Sequence, residues 1–244
     1  MDRRVQLLNV AVDIAATKTA SDATISYLEE ESSKVVYFLN SETLLLLEQN
    51  STWRETVEAS ELVLPGTASV NRSIDQVLGH RRDSFFLESY FDAMWDYVVE
   101  NGLELLIVAA NESRFVSIQE HIHEKRPFLT LSGFFVTEQK ESTDHIVNEI
   151  NSVAPDILLV ALEEKEQLEL LMNYRNQMNA RLILFSGNIL YNKAVSEAEV
   201  PEQIQKLRIG NLYKWYRKSG RVKNFFNNIR MKFKLKQHRK DQEP

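Results

Sequence analysis

Short apolar segments recur along the first 200 residues, separated by longer segments in which apolar residues return every three or four positions. Segments 34–39 (KVVYFL) and 156–162 (DILLVAL) are apolar almost throughout, as expected for parallel strands covered on both faces. The segment 5–14 alternates more loosely and predicts one strand or a tight pair of strands. The other predicted strands are 34–39, 61–64, 103–110, 128–131, 156–162 and 181–185.

Helical periodicity fills the intervals between these strands. Helices are predicted at about 20–31, 42–50, 68–78, 85–100, 111–125, 142–153 and 163–178. The repeated order of strand, helix and strand predicts a Rossmann-like α/β fold, an open, mostly parallel twisted sheet with helices on both faces. The helix at 85–100 is expected to place these side chains in the core: Phe86, Tyr90, Phe91, Met94, Trp95 and Val98.

The pattern changes beyond Pro201, where the rest of the chain is predicted to be helical. We expect a helix at about 202–218, a hinge at Ser219-Gly220 and a basic helix after it. The chain therefore divides into a predicted α/β domain at 1–200 and a helical, basic appendage at 201–244.

Charge is distributed unevenly between these two parts. Residues 206–240 hold 13 of the 29 Lys and Arg residues and no Asp or Glu. The first 205 residues carry the other 16 basic side chains and 33 of the 35 acidic ones. The formal net charge of −6 thus combines an acidic body with a cationic tail, which indicates a polyanionic partner.

An apolar stripe runs along the cationic tail. On a helix its members fall within an arc of roughly 100°, with cations on both flanks. The stripe is Val222, Phe225, Phe226, Ile229 and Phe233, and the flanking cations are Arg221, Lys223, Arg230 and Lys232. Apolar groups of such a helix enter the acyl boundary of a membrane while the cations reach lipid phosphates. We therefore predict peripheral binding to an anionic membrane surface; the alternative is that this segment packs on the body as an ordinary terminal helix.

Other features limit the class of protein. The absence of cysteine excludes disulfides and thiolate metal sites. No apolar run approaches the ~18 residues of a spanning helix, and the N-terminal segment lacks the apolar core of a signal peptide. We expect a cytoplasmic protein, peripheral on the inner face of the cell membrane. Nucleic acid is not an expected partner, because the acidic body would repel a duplex and no binding motif accompanies the charge.

Candidate chemistry begins where predicted strands end, because open α/β sheets bind ligands at the carboxyl ends of their strands. Asn40 follows the strand at 34–39 and is both a candidate helix cap and a candidate site residue. Common signatures for nucleotide phosphates, serine nucleophiles and zinc are absent. His121 and His123, two apart on a predicted helix, face different ways, so no metal site is expected.

A set of segments, taken in order, carries a resemblance to a known family. The segments are SKVVYFLNSE, SELVLPG, LTLSGFF, APDILLVAL, RLILFSGN and RIGNLYKWYRKSGR. With this order and spacing the chain resembles, from residue 5 to about 221, the WecG/TagA/CpsF family of bacterial glycosyltransferases. The resemblance implies a metal-independent, inverting transfer of a hexosamine or hexose without a cofactor. The implied donor is a UDP-sugar, and the implied acceptor is linked to a polyprenyl diphosphate such as undecaprenyl diphosphate, in cell-surface polysaccharide or wall polymer synthesis.

The resemblance also implies site residues. The substrate-binding positions that it implies in the body are Asn40, Thr67, Gly133, Gln167 and Gly187. In the appendage it implies that arginines hold the acceptor diphosphate, and the matching residues are Arg208, Arg217 and Arg221. A guanidinium group suits phosphate oxygens geometrically.

The sequence departs from the family pattern at the catalytic position. The family places an Asp, the general base, after the strand that resembles LVLP, whereas here Gly66 and Thr67 follow Pro65. A threonine-like position before Asn40 is Phe38, and a glycine-rich turn is replaced by 163–165 (EEK), whose carboxylates would repel a diphosphate. The catalytic residue is therefore unassigned, and the candidate replacement carboxylates are Glu61, Asp75, Asp83 and Glu88.

Two hypotheses follow. In the first, the chain is an active glycosyltransferase at the membrane surface. In the second, it is a catalytically impaired member that acts as a non-catalytic partner or lipid-binding subunit of an active glycosyltransferase. Either hypothesis allows a homo-oligomer or a pairing with an active member of the family.

Overall fold

The structure is a computed structural model that describes residues 4–83, 85–136, 143–197 and 220–242, and in the last segment it describes the side chains of 226–238. A short antiparallel hairpin opens the chain, formed by β1 (Arg4–Leu7) and β2 (Val10–Asp13). The main sheet contains β3 (Lys34–Leu39), β4 (Leu62–Pro65), β5 (Leu105–Ala109), β6 (Leu131–Phe135), β7 (Ile157–Ala161) and β8 (Leu182–Phe185). Its order is β4-β3-β8-β7-β5-β6, and every neighbouring pair is parallel.

Ten helices accompany the sheet in the described residues. They are α1 (Thr17–Tyr27), α2 (Ser41–Gln49), α3 (Ser51–Glu58), α4 (Ala68–Leu78), α5 (Leu87–Asn101), α6 (Glu112–Lys125), α7 (Thr143–Val153), α8 (Glu164–Tyr174), α9 (Ile189–Glu197) and α10 (Gly220–Gln242).

The sheet separates two hydrophobic cores, because alternate side chains of a strand point to opposite faces. In β3, Tyr37 and Leu39 face one core while Val36 and Phe38 face the other. Residues of α2, α3, α4, α7, α8 and α10 belong to the first core, and residues of α1, α5, α6 and α9 belong to the second. The predicted Rossmann-like arrangement is confirmed, and the segment 5–14 is a pair of strands.

Several local predictions were wrong. The strand predicted at 128–131 begins only at Leu131 and runs through Gly133, where an added Cβ would lie 2.4 Å from the Ile107 carbonyl oxygen. Gly133 therefore allows β6 to approach β5. Phe86 is 62 % exposed instead of buried, since α5 begins at Leu87, two residues later than predicted, and Phe86 is its N-cap. Helices α3 and α9 were not predicted.

The terminal helix α10 packs along α2 through one of its faces. Met231 is fully buried there and Leu235 packs against the first core. Lys234 forms an ion pair with Glu48 of α2, and Ser41 donates a hydrogen bond to the Asn228 side-chain oxygen. From Asn228 to Lys234 the helix therefore runs along α2, from its first residue Ser41 to Glu48 near its end.

The opposite face of α10 carries the part of the predicted stripe that the structure describes. Phe226 is 63 % exposed, Ile229 49 % and Phe233 64 %, and the cations Arg230 and Lys232 are exposed with them. The alternative that this segment packs on the body is therefore correct for the helix, but the packing uses Met231 and Leu235, and the three described residues of the stripe stay exposed. The side chains of Val222 and Phe225 lie outside the described residues. No helix in the described segments has the length and apolar character needed to cross a membrane.

Candidate functional site

Four neighbouring strands end at one edge of the sheet, and polar residues follow each of them. Gly66 and Thr67 follow β4, Asn40 follows β3, 186–188 follow β8, and 163–164 lie just beyond β7. Ligands of open α/β sheets bind at this carboxyl edge. The candidate site is therefore built from loops and helix starts that the parallel sheet brings together.

Two adjoining cavities, each of about 550 Å³, open at this edge. The polar cavity is lined by Asn40, Ser41, Thr67, Ser69, Asn192 and Asn228, among others. The aromatic cavity is lined by Phe85, Phe86, Phe91, Trp95, Ile122 and Leu190, with several charged groups. Both cavities include Gly66, Thr67, Arg72 and Lys193 in their walls. A ligand with a polar part and an apolar or sugar-like part would fit across the two.

Asn40 links a helix cap to a buried carboxylate. Its Oδ1 accepts a hydrogen bond of 2.9 Å from the Thr43 backbone N–H, which caps α2. Its Nδ2 donates to Glu164 Oε1 at 2.6 Å. The predicted cap is confirmed, and the amide donor of this candidate substrate-binding residue is engaged inside the protein.

Glu164 is the centre of this buried network, and it is only 1 % exposed. Besides the Asn40 amide, it accepts hydrogen bonds from Thr43 Oγ1 at 2.6 Å, Gln167 Nε2 at 2.8 Å and the Asn188 backbone N–H at 3.3 Å. Burial raises the pKa of the Glu164 carboxyl, because the charged form loses water, while these hydrogen bonds act in the opposite direction. Since the carboxylate is enclosed, it cannot serve as a base for a ligand in either cavity without first moving.

Gln167 and Gly187 complete the enclosure. Gln167 Nε2 also donates to the Tyr37 hydroxyl at 2.8 Å, and Gln167 Oε1 has no hydrogen-bond partner among the described residues. Gly187 has a φ of +49°, and a Cβ there would lie 2.5 Å from Glu164 Oε1. Three of the predicted substrate-binding residues, Asn40, Gln167 and Gly187, thus converge on one internal carboxylate.

The position of the expected general base lies between the two cavities. Gly66 is buried, and a Cβ on it would lie 2.3 Å from Ile189 Cδ1 and 3.1 Å from the Leu39 carbonyl oxygen. Thr67 is half-buried and caps α4 through its hydroxyl, which also lies 2.9 Å from Ser69 Oγ. A carboxylate at residue 67 would border both cavities, whereas one at residue 66 would require the Ile189 side chain to move and would crowd Leu39 and Phe38.

Carboxylates on the wall of the aromatic cavity come from α4 and α5. Glu88 is paired with Lys193 at 2.9 Å and with Lys125 at 3.2 Å, and these two hydrogen bonds lower its pKa. Asp75 lies 3.5 Å from the Arg82 guanidinium, and Asp92 lies 4.0 Å from Arg126. Asp92, which the sequence analysis did not single out, is the least tightly paired of the three carboxylates.

The other candidate replacements for the base lie elsewhere. Glu61 precedes β4 at the opposite edge of the sheet, where it accepts from the Val35 N–H and pairs with Arg175 at 2.9 Å. Asp83 is exposed and contributes to neither cavity wall. In the described part of the chain, no group of three or more His, Asp or Glu side chains is arranged to hold a metal ion.

Gly133 is the one predicted substrate-binding residue in the described part of the chain that is not brought to these cavities or to the Glu164 network. Gly133 lies within the edge strand β6, where the lack of a side chain allows β6 to approach β5. Glu163, which was expected to repel a diphosphate, is neutralised by Arg114 at 2.5 Å. Arg208 and Arg217, and the side chain of Arg221, lie outside the described residues.

Several polar residues of the site were missed by sequence reasoning. Ser41 Oγ and Ser69 Oγ lie 3.3 Å apart and join the first turns of α2 and α4. Asn228 of α10 borders the polar cavity as well. The signal for the two serines was their position just after strands β3 and β4, but Asn228 could be placed only by the docking of a distant helix.

The buried Glu164 leads to a prediction about pH. In the folded state its pKa lies above the ordinary value of 4.5, which applies to the unfolded chain. Its contribution to stability is therefore present in full below about pH 4.5, and it is lost as the pH rises through the folded-state pKa. We expect the free energy of unfolding of the wild type, relative to Glu164→Gln, to increase as the pH is lowered from 7.5 to 4.5. Urea unfolding of both proteins measures this difference.

Subtracting the free energy of unfolding of Glu164→Gln removes the contributions of the other titrating groups. One of these is Glu42, whose charge acts on the pKa of Glu164. The nearby Tyr37 remains protonated in this pH range. A difference that shrinks toward low pH would show that the hydrogen bonds outweigh burial and hold Glu164 ionised.

The comparisons with known proteins agree with the fold. No curated protein matches the chain in sequence. A family model described as "Glycosyl transferase WecG/TagA/CpsF family" matches residues 5–243, nearly the whole chain. The chain therefore belongs to the WecG/TagA/CpsF family of glycosyltransferases.

Proposed function

We propose that the chain transfers a hexosamine or hexose from a UDP-sugar to a polyprenyl-diphosphate-linked acceptor at the inner surface of the cell membrane. The product would enter cell-surface polysaccharide or wall polymer synthesis. Family membership supports the general activity, and the architecture around α10 supports the membrane-bound acceptor. The proposal also treats 201–244 as a membrane-associating appendage of the α/β domain.

The observation that carries this proposal is the two-sided character of α10. One face holds Met231 against the first core, and the other presents Ile229, Phe233 and exposed cations. Asn228, near the start of the described side chains, borders the polar cavity. A helix that lies in the membrane by its exposed face would therefore hold the carboxyl edge of the sheet close to the bilayer surface, where a lipid-linked acceptor carries its sugar.

In the proposed reaction, the acceptor hydroxyl oxygen forms a bond to the anomeric carbon of the donor sugar, and the bond from that carbon to the UDP phosphate oxygen breaks. The configuration inverts, UDP leaves with the bonding electron pair, and the hydroxyl proton passes to a base. Because residues 66 and 67 carry no carboxylate, we assign the proton to the carboxylates facing the aromatic cavity, of which Asp92 is the least tightly paired. Arg72 and Lys193 would offset the charge of the departing diphosphate.

A second function is favoured by a different observation. Residues 66 and 67, at the position of the expected general base, carry no carboxylate. The side-chain amides of Asn40 and Gln167 already donate hydrogen bonds to Glu164. Both features suit a catalytically impaired member that lends its membrane helix to an active glycosyltransferase. Such a protein would bind anionic membranes and its partner but would not turn over a donor.

One experiment separates the two functions. The full chain is titrated with UDP and with UDP-sugars in a calorimeter, and it is then assayed for UDP release and labelled product with a polyprenyl-diphosphate-linked sugar in anionic vesicles. We expect weak but measurable UDP binding and slow, acceptor-dependent sugar transfer. UMP and ADP serve as matched controls for recognition of the nucleotide.

The absence of both heat and product at high protein concentration would exclude the transferase proposal and leave the non-catalytic partner. Donor hydrolysis that does not depend on acceptor would contradict the assignment of a lipid-linked acceptor. Transfer that is slow but requires the acceptor would exclude the non-catalytic function.

A further inference from the structure

Four hydrogen-bond donors from separate parts of the chain meet around one carboxylate. They are Asn40 Nδ2, Thr43 Oγ1, Gln167 Nε2 and the Asn188 N–H, at 2.6 to 3.3 Å from Glu164. All four donors are electrically neutral. They come from α2 and its cap, from α8 and from the loop after β8, so three chain segments converge on the same two oxygen atoms.

This arrangement is unusual for a carboxylate whose only task is to support the fold. A buried carboxylate in a structural role is usually paired with a cation, which offsets the loss of water. Here the neighbouring cations are used elsewhere, since Arg114 pairs with Glu163 and Lys193 with Glu88. Neutral donors converging on an anion are instead the arrangement found in binding sites for phosphate and carboxylate ligands.

The surroundings of Glu164 also contain features of a binding site. Asn40 belongs both to the donor set and to the wall of the polar cavity, so the two are adjacent. Gln167 Oε1 is a fully buried acceptor with no hydrogen-bond partner among the described residues, so it suits a hydroxyl group of a ligand and not its anionic oxygens. Gly187 lets the loop after β8 close on the carboxylate, because a Cβ there would lie 2.5 Å from Glu164 Oε1.

We propose that these four donors form an oxyanion-binding cradle, and that Glu164 is an internal occupant which an anionic ligand entering through the polar cavity displaces. The ligand class is a phosphate-bearing molecule, because Arg72 adds positive charge to the same cavity. The identification of the ligand as a nucleotide diphosphate rests on the proposed function. The existence of the cradle does not rest on that function, since inorganic phosphate would bind there equally well.

The occupant accounts for the departure at 163–165. The glutamate that follows β7 does not project into the cavity to repel a ligand. It turns inward and fills the cradle, so a ligand must compete with a group at very high local concentration. Affinity for an external anion is lowered by that competition, as for any site that must first release an internal partner.

The test compares three full-length proteins: the wild type, Glu164→Gln and Glu164→Ala. Gln has the shape of Glu without its charge, and it can keep its contacts because the Gln167 amide can rotate to accept. Ala empties the cradle. Binding of inorganic phosphate and of UDP is measured by calorimetry, and melting temperatures are recorded in phosphate, in acetate and in chloride at matched ionic strength.

We expect Glu164→Ala to bind UDP at least ten times more tightly than the wild type, and to be stabilised by phosphate or acetate but not by chloride. Glu164→Gln should remain within about threefold of the wild type. The melting temperature reports on the cradle even if Glu164→Ala is weakened, because an anion that fills the cradle restores its stability. If Glu164→Ala increases the affinity for UDP more than the affinity for phosphate, the ligand of the cradle is a nucleotide. If both affinities increase equally, the cradle binds any phosphate.

Two outcomes would overturn the proposal. Equal affinities in the wild type and Glu164→Ala, with no anion-specific stabilisation, would show that the donors bind only their own glutamate. Equal tightening in Gln and Ala would show that charge repulsion, not occupancy, opposes the ligand. These results do not depend on sugar transfer. If the wild type transfers no sugar, phosphate binding still tests the cradle. If the wild type is active, that activity alone does not show that the cradle exists.

Discussion

Thr67→Asp is expected to raise the rate of sugar transfer by about 10²-fold, the low end of the usual contribution of a positioned general base, because Asp92 already accepts the proton in the wild type. Residue 67 borders both cavities, so a carboxylate there would face a hydroxyl bound between them. Asp also replaces Thr as the N-cap of α4 without loss, because both accept a hydrogen bond from the first turn. The rate is measured as acceptor-dependent UDP release, across pH, since a new base adds a rise in rate near its pKa.

Thr67→Asn is the matched control, because it caps the helix and has the shape of Asp but cannot accept the proton. A rate in Thr67→Asp that is no higher than in Thr67→Asn would show that the reacting hydroxyl does not bind beside residue 67. The carboxylates of α5 would then be the only base in place.

Gly66→Asp should not give the same gain, although it places the carboxylate closer to the pattern of the family. The added Cβ would lie 2.3 Å from Ile189 Cδ1 and 3.1 Å from both the Leu39 carbonyl oxygen and Phe38 Cβ. Overpacking of this kind costs about 1–3 kcal/mol of stability and shifts the backbone. The phenylalanine at 38 and the isoleucine at 189 therefore fill the region that a carboxylate at residue 66 would need.

The fold was predictable because its main signals are local. Continuous apolar runs such as KVVYFL predicted buried parallel strands, and the helices between them fixed the order of strand, helix and strand. The strand at Leu131–Phe135 was misplaced because Ser132-Gly133 resembles a turn, whereas the glycine is needed for contact with β5. Only the tertiary contact distinguishes these two uses of a glycine.

The site was predictable in part. Asn40 was found because polar residues after parallel strands share one edge, and Thr67 because of the family resemblance; the structure places both at the polar cavity. The inward turn of Glu164 was not predictable, since nothing in the sequence tells a buried glutamate from a solvated one. Its burial depends on Thr43, Gln167 and Gly187, which are brought together only by the finished fold.

The exposed face of α10 gives the second large effect. Phe226→Glu together with Phe233→Glu is expected to lower binding to anionic vesicles at least 100-fold. Each buried Phe contributes about 2 kcal/mol to membrane binding, and each new carboxylate is repelled by the anionic surface. Because Met231 and Leu235 hold the helix by its other face, the helix should stay docked, and the melting temperature should change far less than membrane binding does. Vesicle co-sedimentation at two salt concentrations measures the loss.

Phe128→Glu is the matched control. Phe128 is 87 % exposed, more than either helix residue, but it lies near the start of β6, at the opposite edge of the sheet from the cavities. Equal losses in the control and the double variant would mean that any exposed aromatic residue contributes, and undiminished binding of the double variant would show that α10 does not enter the bilayer. A loss confined to the double variant, together with lost transfer to lipid-linked but not to water-soluble acceptors, would establish that α10 delivers the site to its acceptor.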